Sequence, residues 1–422
     1  MSRWAIRTSV EDSYGGALTN PVNKPSEDSK FYREQFFYQG MAFTLSIGGL
    51  YWYEWWGYNF SNVVKYFLLI LYYVANMCTP VGIVLEILYI FVNASKITFS
   101  THGSILAILP STVLMLVSTF SVYGQCLVSI CQPNMMKDFL DKIHLYNFRS
   151  NTYLKRTRFL TIYFFVFLVL DWAMWTITPI LYNLSNSEAI RNKTLPMQTC
   201  FYMWLPFDYE YDFKYWFVAQ LSTSFLIATG CTVVTTYDTI NYSIVFHLIG
   251  HIKGLKHLIN TMFFGDMTDE ETKQKLIEII KYHCFVLKIF RDIETAFGFN
   301  VTGNYLYNLV VDSIYLYHIM LGDNGSKFMY GFMLFAFLGG LFAMSFVLEE
   351  VRSQTIDIPQ CVYEIPWEKM SISNQKTVLL ILARTQLTLE YKGAGGLIAG
   401  VNPTIQILKS TFSYYVMLKS SL

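Results

Sequence analysis

A chain of 422 residues that is 53% hydrophobic, 18% aromatic and only 14% charged cannot clothe itself in the polar surface a soluble globule needs. It is a polytopic membrane protein by composition. Its net charge of +1, with no long run of either sign, gives no purchase for nucleic acid. The seven cysteines (Cys78, Cys126, Cys131, Cys200, Cys231, Cys284 and Cys361) form no CxxC pair and no metal-finger spacing, so they read as buried thiols.

The first 34 residues are polar and mixed in charge, so no cleavable signal peptide is visible. The apolar stretch 40–56 ends in Tyr51, Trp52, Tyr53, Trp55 and Trp56, an interfacial aromatic belt. It falls short of the roughly 20 residues a spanning helix needs and carries Glu54, which makes it a re-entrant or surface helix. Seven stronger candidates follow at 66–92, 104–130, 158–182, 214–240, 299–320, 328–348 and 402–421. The expected fold is therefore all-α with seven transmembrane helices. An odd number puts the termini on opposite sides, and Lys and Arg choose which. With the N-terminus in the cytoplasm, the segments 1–62, 131–158, 241–296 and 351–396 hold 23 of the 31 Lys and Arg, and the C-terminus is extracellular. The sequons at Asn93, Asn183, Asn192 and Asn324 then lie on the outer face, while those at Asn59, Asn241 and Asn300 do not. Of the cysteines, only Cys200 is placed outside the cell, which leaves no internal extracellular disulfide to expect.

Two cytoplasmic stretches are too regular to be loops. Asp269 to Phe297 places Leu276, Ile280, Leu287 and Phe290 at helical spacing among alternating charges, an amphipathic helix that runs into the fifth span. Residues 242–263 extend the fourth span in the same way. Such apolar stripes must be buried, either within one subunit or where subunits meet. Asn374 to Lys392 reads as a further cytoplasmic helix with Val378, Leu379, Leu382 and Leu389 as its apolar contacts. Four parts result: 1–62, the cytoplasmic N-terminus with its re-entrant helix; 63–350, the first six spans with their cytoplasmic extensions; 351–396, a cytoplasmic anchor; and 397–422, the last span.

That last segment follows a Gly393-Ala394-Gly395-Gly396 break and is apolar enough for a membrane, yet one face carries Gln406, Ser410, Ser413, Met417 and Ser420, with Lys409 and Val416 at its margin. Ile405, Leu408, Phe412 and Tyr415 take the other side. Polar groups in hydrocarbon are costly, so the stripe faces water or a bundle interior. The residues alone leave two readings open: a helix lining an aqueous path, or a packing helix whose hydroxyls bond back to its own carbonyls.

The run from Ile407 to Lys419 resembles the C-terminal signature of insect odorant receptors, as do Tyr363, Pro366 and Trp367 before it. Leu195-Pro196 followed by Trp204-Leu205-Pro206-Phe207-Asp208 is similar to that family's second extracellular loop. The resemblance implies a tetrameric, nonselective cation channel in the plasma membrane of a sensory dendrite, opened by a small hydrophobic volatile. It also implies assembly with a co-receptor as a heterotetramer. The chain looks like a tuning subunit, because the region before the fifth span lacks the co-receptors' long cytoplasmic insertion. The alternative is a gustatory-receptor-type channel assembling as a homotetramer. One helix per chain cannot enclose a pore, which fits several chains around an axis. Gln406, Ser410, Ser413, Val416, Met417 and Ser420 are then the pore and gate residues, with Val416 at the position the family assigns to the gate.

The resemblance puts the ligand in the outer half, between the second, third, fourth and sixth spans. The walls there are Ile105, Leu109 and Thr112; Asp171, Trp172, Trp175 and Thr176; Phe217, Gln220, Leu221 and Ser224; and Met329, Tyr330, Met333 and Phe337. They suit an apolar ligand held by aromatic contact and one or two hydrogen bonds, and equally ordinary helix packing. Glu86, Asp171, Asp238 and Asp312 are intramembrane carboxylates, expected to pair with Tyr, Trp or His rather than conduct ions. No catalytic set, phosphate loop or cofactor motif is apparent. His247 and His251 share metal-like spacing, with His257 nearby, but read as a solvated cytoplasmic face.

Overall fold

The structure, a computed structural model, describes residues 61–93, 151–261, 267–321 and 324–420, apart from some side chains within them. The 40–56 helix, and the second span with Ile105, Leu109 and Thr112, lie outside those residues. The described chain is helical, with one isolated bridge between Lys392 and Ile398 and no strand. Its helices are α1 (Asn62–Val92), α2 (Asn151–Ser185), α3 (Ser187–Arg191), α4 (Phe213–Thr261), α5 (Asp269–Leu321), α6 (Asn324–Ile356), α7 (Ile358–Tyr363), α8 (Ile372–Thr385) and α9 (Val401–Ser420). Six of the seven expected spans fall within α1, α2, α4, α5, α6 and α9.

The fourth and fifth spans do continue into the cytoplasm as unbroken helices. The start of α5 is a capping box: Glu271 accepts from Thr268 N at 2.9 Å and from Thr268 Oγ1 at 2.8 Å, while Thr268 Oγ1 accepts from Glu271 N at 3.3 Å. Those bonds hold the Glu271 carboxyl below its ordinary range, and Asp269, Glu270 and Glu271 complement the dipole of the first turn. Below the membrane, Ile249, Ile252 and Leu255 of α4 interlock with Leu276, Ile279 and Ile293 of α5, all completely enclosed. Val351 of α6, Ile358 and Val362 of α7, and Val378 and Ile381 of α8 close this aliphatic core.

Two expectations are corrected here. The anchor helix ends at Thr385 rather than Lys392, and its buried stripe is Asn374, Val378, Ile381 and Thr385. Leu379, expected inside, is exposed beside Leu380, because the helix is turned by the bonds from Asn374 Nδ2 to Asp269 O at 3.1 Å and Oδ1 at 2.7 Å. His251 is not solvated either: it is buried, its Nδ1 lies 3.1 Å from Tyr282 Oη, and its ring meets Tyr282 and Phe285 edge-on. No cluster of metal-ligating side chains occurs among the described residues.

Around the spans the polarity of a soluble protein is inverted. Phe328, Phe335, Phe342 and Phe346 stand exposed along α6, and Phe159, Ile162, Val166, Val169, Ile177 and Leu181 along α2. Spacings of three, four, seven and eight keep each row on one face, which is the lipid-facing side of a membrane helix.

Candidate ligand site and pore helix

Near the outer end, α2 and α4 meet along a polar seam. Trp172 Nε1 donates to Ser224 Oγ at 3.0 Å, and Thr176 Oγ1 lies 2.9 Å from the same hydroxyl. Pro179 inside α2 has no N–H to offer the carbonyl four residues back, and one residue on, Thr176 O is bonded by Gln220 Nε2 at 3.0 Å. Gln220 Oε1 in turn accepts from Cys200 N at 3.2 Å, tying the seam to the connection between α3 and α4.

That connection folds inward as a plug. Cys200, Phe201, Tyr202 and Met203 are buried, and burial pushes the Cys200 thiol up to about 11. The plug is fixed at its edges. Asn183 exchanges two hydrogen bonds with Gln198, at 2.9 and 2.8 Å, and Trp216 Nε1 donates to Gln198 O at 2.7 Å. Tyr209 Oη donates to Met203 O at 3.0 Å, and Trp204 N to Leu85 O of α1 at 2.8 Å.

Beneath the plug lies an aromatic and sulfur-rich cluster. Trp175, Met329, Tyr330 and Met333 are buried in it, and Phe337 packs at its edge with its ring centroid 5.2 Å from Tyr307. The cluster thus unites Trp175 of the third span with the four expected residues of the sixth, while Trp172 is exposed. Gln220 and Ser224 are buried at its border, but Phe217 and Leu221 of the same helix are exposed. Asp171 is buried; its Oδ2 accepts from Cys231 Sγ at 3.0 Å, and Trp175, one of the expected donor types, is its other side-chain partner. Glu86 is buried in α1, while the side chain of Asp238 lies outside the described residues. The fifth span contributes what the sequence reading left out: Tyr307, Val311 and Tyr315, with His318 stacked on Tyr330 at 4.9 Å. Their spacing of four was a legible stripe.

The last span is asymmetric, but not along the line its sequence draws: Ile405 and Phe412, expected opposite the polar stripe, are exposed. Thr404 and Thr411 are buried against the bundle, with Ile407, Leu408 and Tyr415 beside them half-buried. Tyr305 of α5 secures the base of α9: its hydroxyl accepts from Gly400 N at 3.1 Å and lies 2.9 Å from Ser345 Oγ, which also meets Thr404 Oγ1. Gly395 and Gly396, with φ of 73° and 79°, supply the left-handed turn before it. A Cβ on Gly393 would run into Thr302 Oγ1 of α5, so the break is also a close approach of two backbones. On the far side of α9, Gln406, Ser413, Val416, Met417 and Ser420 are exposed, and Ser410 is half-buried. Ser413 Oγ and Ser420 Oγ donate to the carbonyls of Lys409 and Met417 at 3.0 and 2.8 Å.

A seven-span helical membrane protein with an aromatic cluster under an extracellular plug, and a separate polar-faced final helix, has the architecture of an insect chemosensory receptor. The chain belongs to the 7tm Odorant receptor family, whose profile matches residues 136–412. It is similar to odorant receptor 33b of Drosophila melanogaster, 21% identical over 58% of this chain and 66% of that one. It is also similar to odorant receptor 10 of Aedes albopictus, 19% identical over 51% and 59%. The chain spans about half to two thirds of the length of the curated relatives it matches. Its fold matches that of the olfactory receptor OR5 from Machilis hrabei in complex with eugenol, with a TM-score of 0.72 and 13% identity over 94% of this chain and 100% of that one.

Proposed function

We propose that this chain is the odorant-specific subunit of a ligand-gated, nonselective cation channel of the plasma membrane, assembled with co-receptor subunits as a heterotetramer. The observation that carries the reading is the two-sidedness of α9. One face is spent on α5 and α6, while the other keeps Gln406, Ser413 and Ser420 unburied in a single chain. Polar groups on a membrane helix call for water, and copies of this face around an axis would provide it. Val416 and Met417, exposed near the outer end, suit a ring that closes by dewetting. The exposed Leu379, Leu380 and Leu387 around α8 suit burial between cytoplasmic anchors.

The ligand is a small, largely apolar volatile binding between Trp175, Tyr330, Met333 and Phe337. The seam donors of Trp172, Thr176 and Gln220 already serve one another, so shape and aromatic contact outweigh hydrogen bonding in its recognition. The eugenol complex of the related receptor supports an aromatic odorant as the first class to try.

Co-expression in otherwise silent cells, with and without a co-receptor, tests the assembly. Currents during a volatile panel are expected only with the co-receptor. Currents from this chain alone would favour the homotetrameric, gustatory-type assembly, and silence in both would reject the channel reading.

A further inference from the structure

Behind the pore helix, on the side turned away from its exposed stripe, α5 and α9 enclose polar atoms that nothing in the description so far uses. Asp312 is completely buried, and neither carboxyl oxygen has a hydrogen-bond partner among the described residues. Asn308, one turn earlier, is equally buried. Its Nδ2 is turned back onto Asn304 O and Oδ1, both at 2.7 Å, which leaves its Oδ1 unpartnered. Across the seam Thr411 is buried with its Oγ1 unpartnered.

Helix phase brings the three together. Tyr305 marks the side of α5 that faces α9, through its bond from Gly400 N at 3.1 Å. Residues 308 and 312 fall within about 60° of it on the helical wheel. One residue beyond Asp312, Ser313 Oγ reaches Thr411 O at 3.4 Å, which sets Asp312 level with Thr411 along the seam. On α9, Thr404 and Thr411 are seven residues apart and share the bundle-facing side.

The result is four oxygens without partners among the described residues: two of a carboxylate, one of an amide and one of a hydroxyl. Three of them can only accept. A carboxylate left bare at this depth is heavily penalised, and an all-oxygen set is what a hard cation seeks. One formal negative charge among neutral ligands balances a monovalent ion and under-serves a divalent one. We propose that Asp312, Asn308 and Thr411 form a sodium-binding site, completed by water, that holds the fifth span against the pore helix. The ion there is structural: it lies on the opposite side of α9 from Gln406 and Ser413 and outside the conduction path.

Thermal unfolding of the full-length chain in its purified native assembly tests this without any need for channel activity. Sodium chloride is compared with choline chloride at fixed ionic strength. Sodium is expected to raise the midpoint temperature saturably, D312N to abolish the rise, and T411V to require about five-fold more sodium for half of it. Equal midpoints in the two salts would overturn the site, leaving a protonated carboxyl or a water cluster in the seam. A sodium response that survives D312N would place the ion elsewhere, in the pore for instance, and would overturn it as well. If D312N does not assemble, T411V decides: an unshifted sodium dependence refutes the proposal.

Discussion

The two ends of the bundle are built from different materials. The cytoplasmic end is centred on Ile249, Ile252, Leu255, Leu276, Ile279 and Ile293, branched side chains with few rotamers and no polar atoms, with Phe290, Tyr391 and other rings around them. The outer end is Trp175, Tyr307, Tyr315, Met329, Tyr330 and Met333, large flat rings and unbranched thioethers under a plug of loop. Rings can slide and thioethers can re-pack around a guest, whereas an interlocked aliphatic core resists change. One chain thereby keeps a rigid cytoplasmic core and an adaptable outer cluster, joined by the long helices α4 and α5, as the proposed division between assembly and recognition requires.

The sharpest way to break that contrast is to substitute a fully buried side chain at each end. Leu276→Ala in the anchor is expected to cost about 2–5 kcal/mol, seen as a lowered unfolding midpoint and a loss of surface protein. Met333→Leu, volume-conserving and equally buried, is expected to cost less than about 1.5 kcal/mol while changing the rank order of volatiles in the current assay. An anchor that tolerated the alanine, or a Met333→Leu receptor with an unaltered odour ranking, would dissolve the distinction.

The same contrast explains what could be read from the sequence. Apolar runs located the six described spans, and periodicity predicted that 242–263 and 269–297 prolong their neighbours, because an amphipathic stripe is a local property. It misjudged Leu379 and the end of the anchor helix, where rotation is set by the Asn374–Asp269 bonds, a contact 105 residues apart in the chain. In the outer half it identified Trp175, Tyr330 and Met333 by residue type, yet had no means of knowing that Phe217 and Leu221 face outward on the helix that buries Gln220 and Ser224. The folding-in of Cys200 and Phe201 was invisible, since a plug made of loop has no period. The resemblance named the second, third, fourth and sixth spans as walls, and so drew attention away from the Tyr307, Val311, Tyr315 stripe of the fifth.

A single hydrogen bond in the seam is worth less than a core methyl cluster, and its removal sharpens the comparison at the next level down. Trp172→Phe keeps the ring and deletes the N–H that reaches Ser224, which retains Thr176 as a partner. The expected cost is about 1 kcal/mol, read as a shift of roughly five-fold in half-maximal odorant concentration with little change in surface protein. Ser224→Ala strips both contacts at once and is expected to exceed it. If neither variant moved the dose response, the seam would be ordinary helix packing and the recognition elements would lie entirely beneath it.

The smallest effect on stability is expected at the rim of the plug, where two sequons nine residues apart occupy opposite circumstances. Asn183 has its amide fully committed to Gln198, donating at 2.9 Å and accepting at 2.8 Å, so a glycan there would have to break the edge of the plug. Asn192 caps α3 through its backbone and leaves its side chain exposed. With the loop outside the cell, and in a background lacking the Asn93 and Asn324 sequons, endoglycosidase treatment is expected to increase gel mobility of the parent and of Asn183→Gln, and to leave Asn192→Gln unmoved. Asn192→Gln, a surface change, should alter stability by no more than about 0.5 kcal/mol, whereas Asn183→Gln forfeits two bonds of the plug and should loosen odorant responses. A mobility shift that persisted in Asn192→Gln and vanished in Asn183→Gln would mean that the plug stands open when the glycan is attached, and that its closed edge forms without the pair on which the outer half depends.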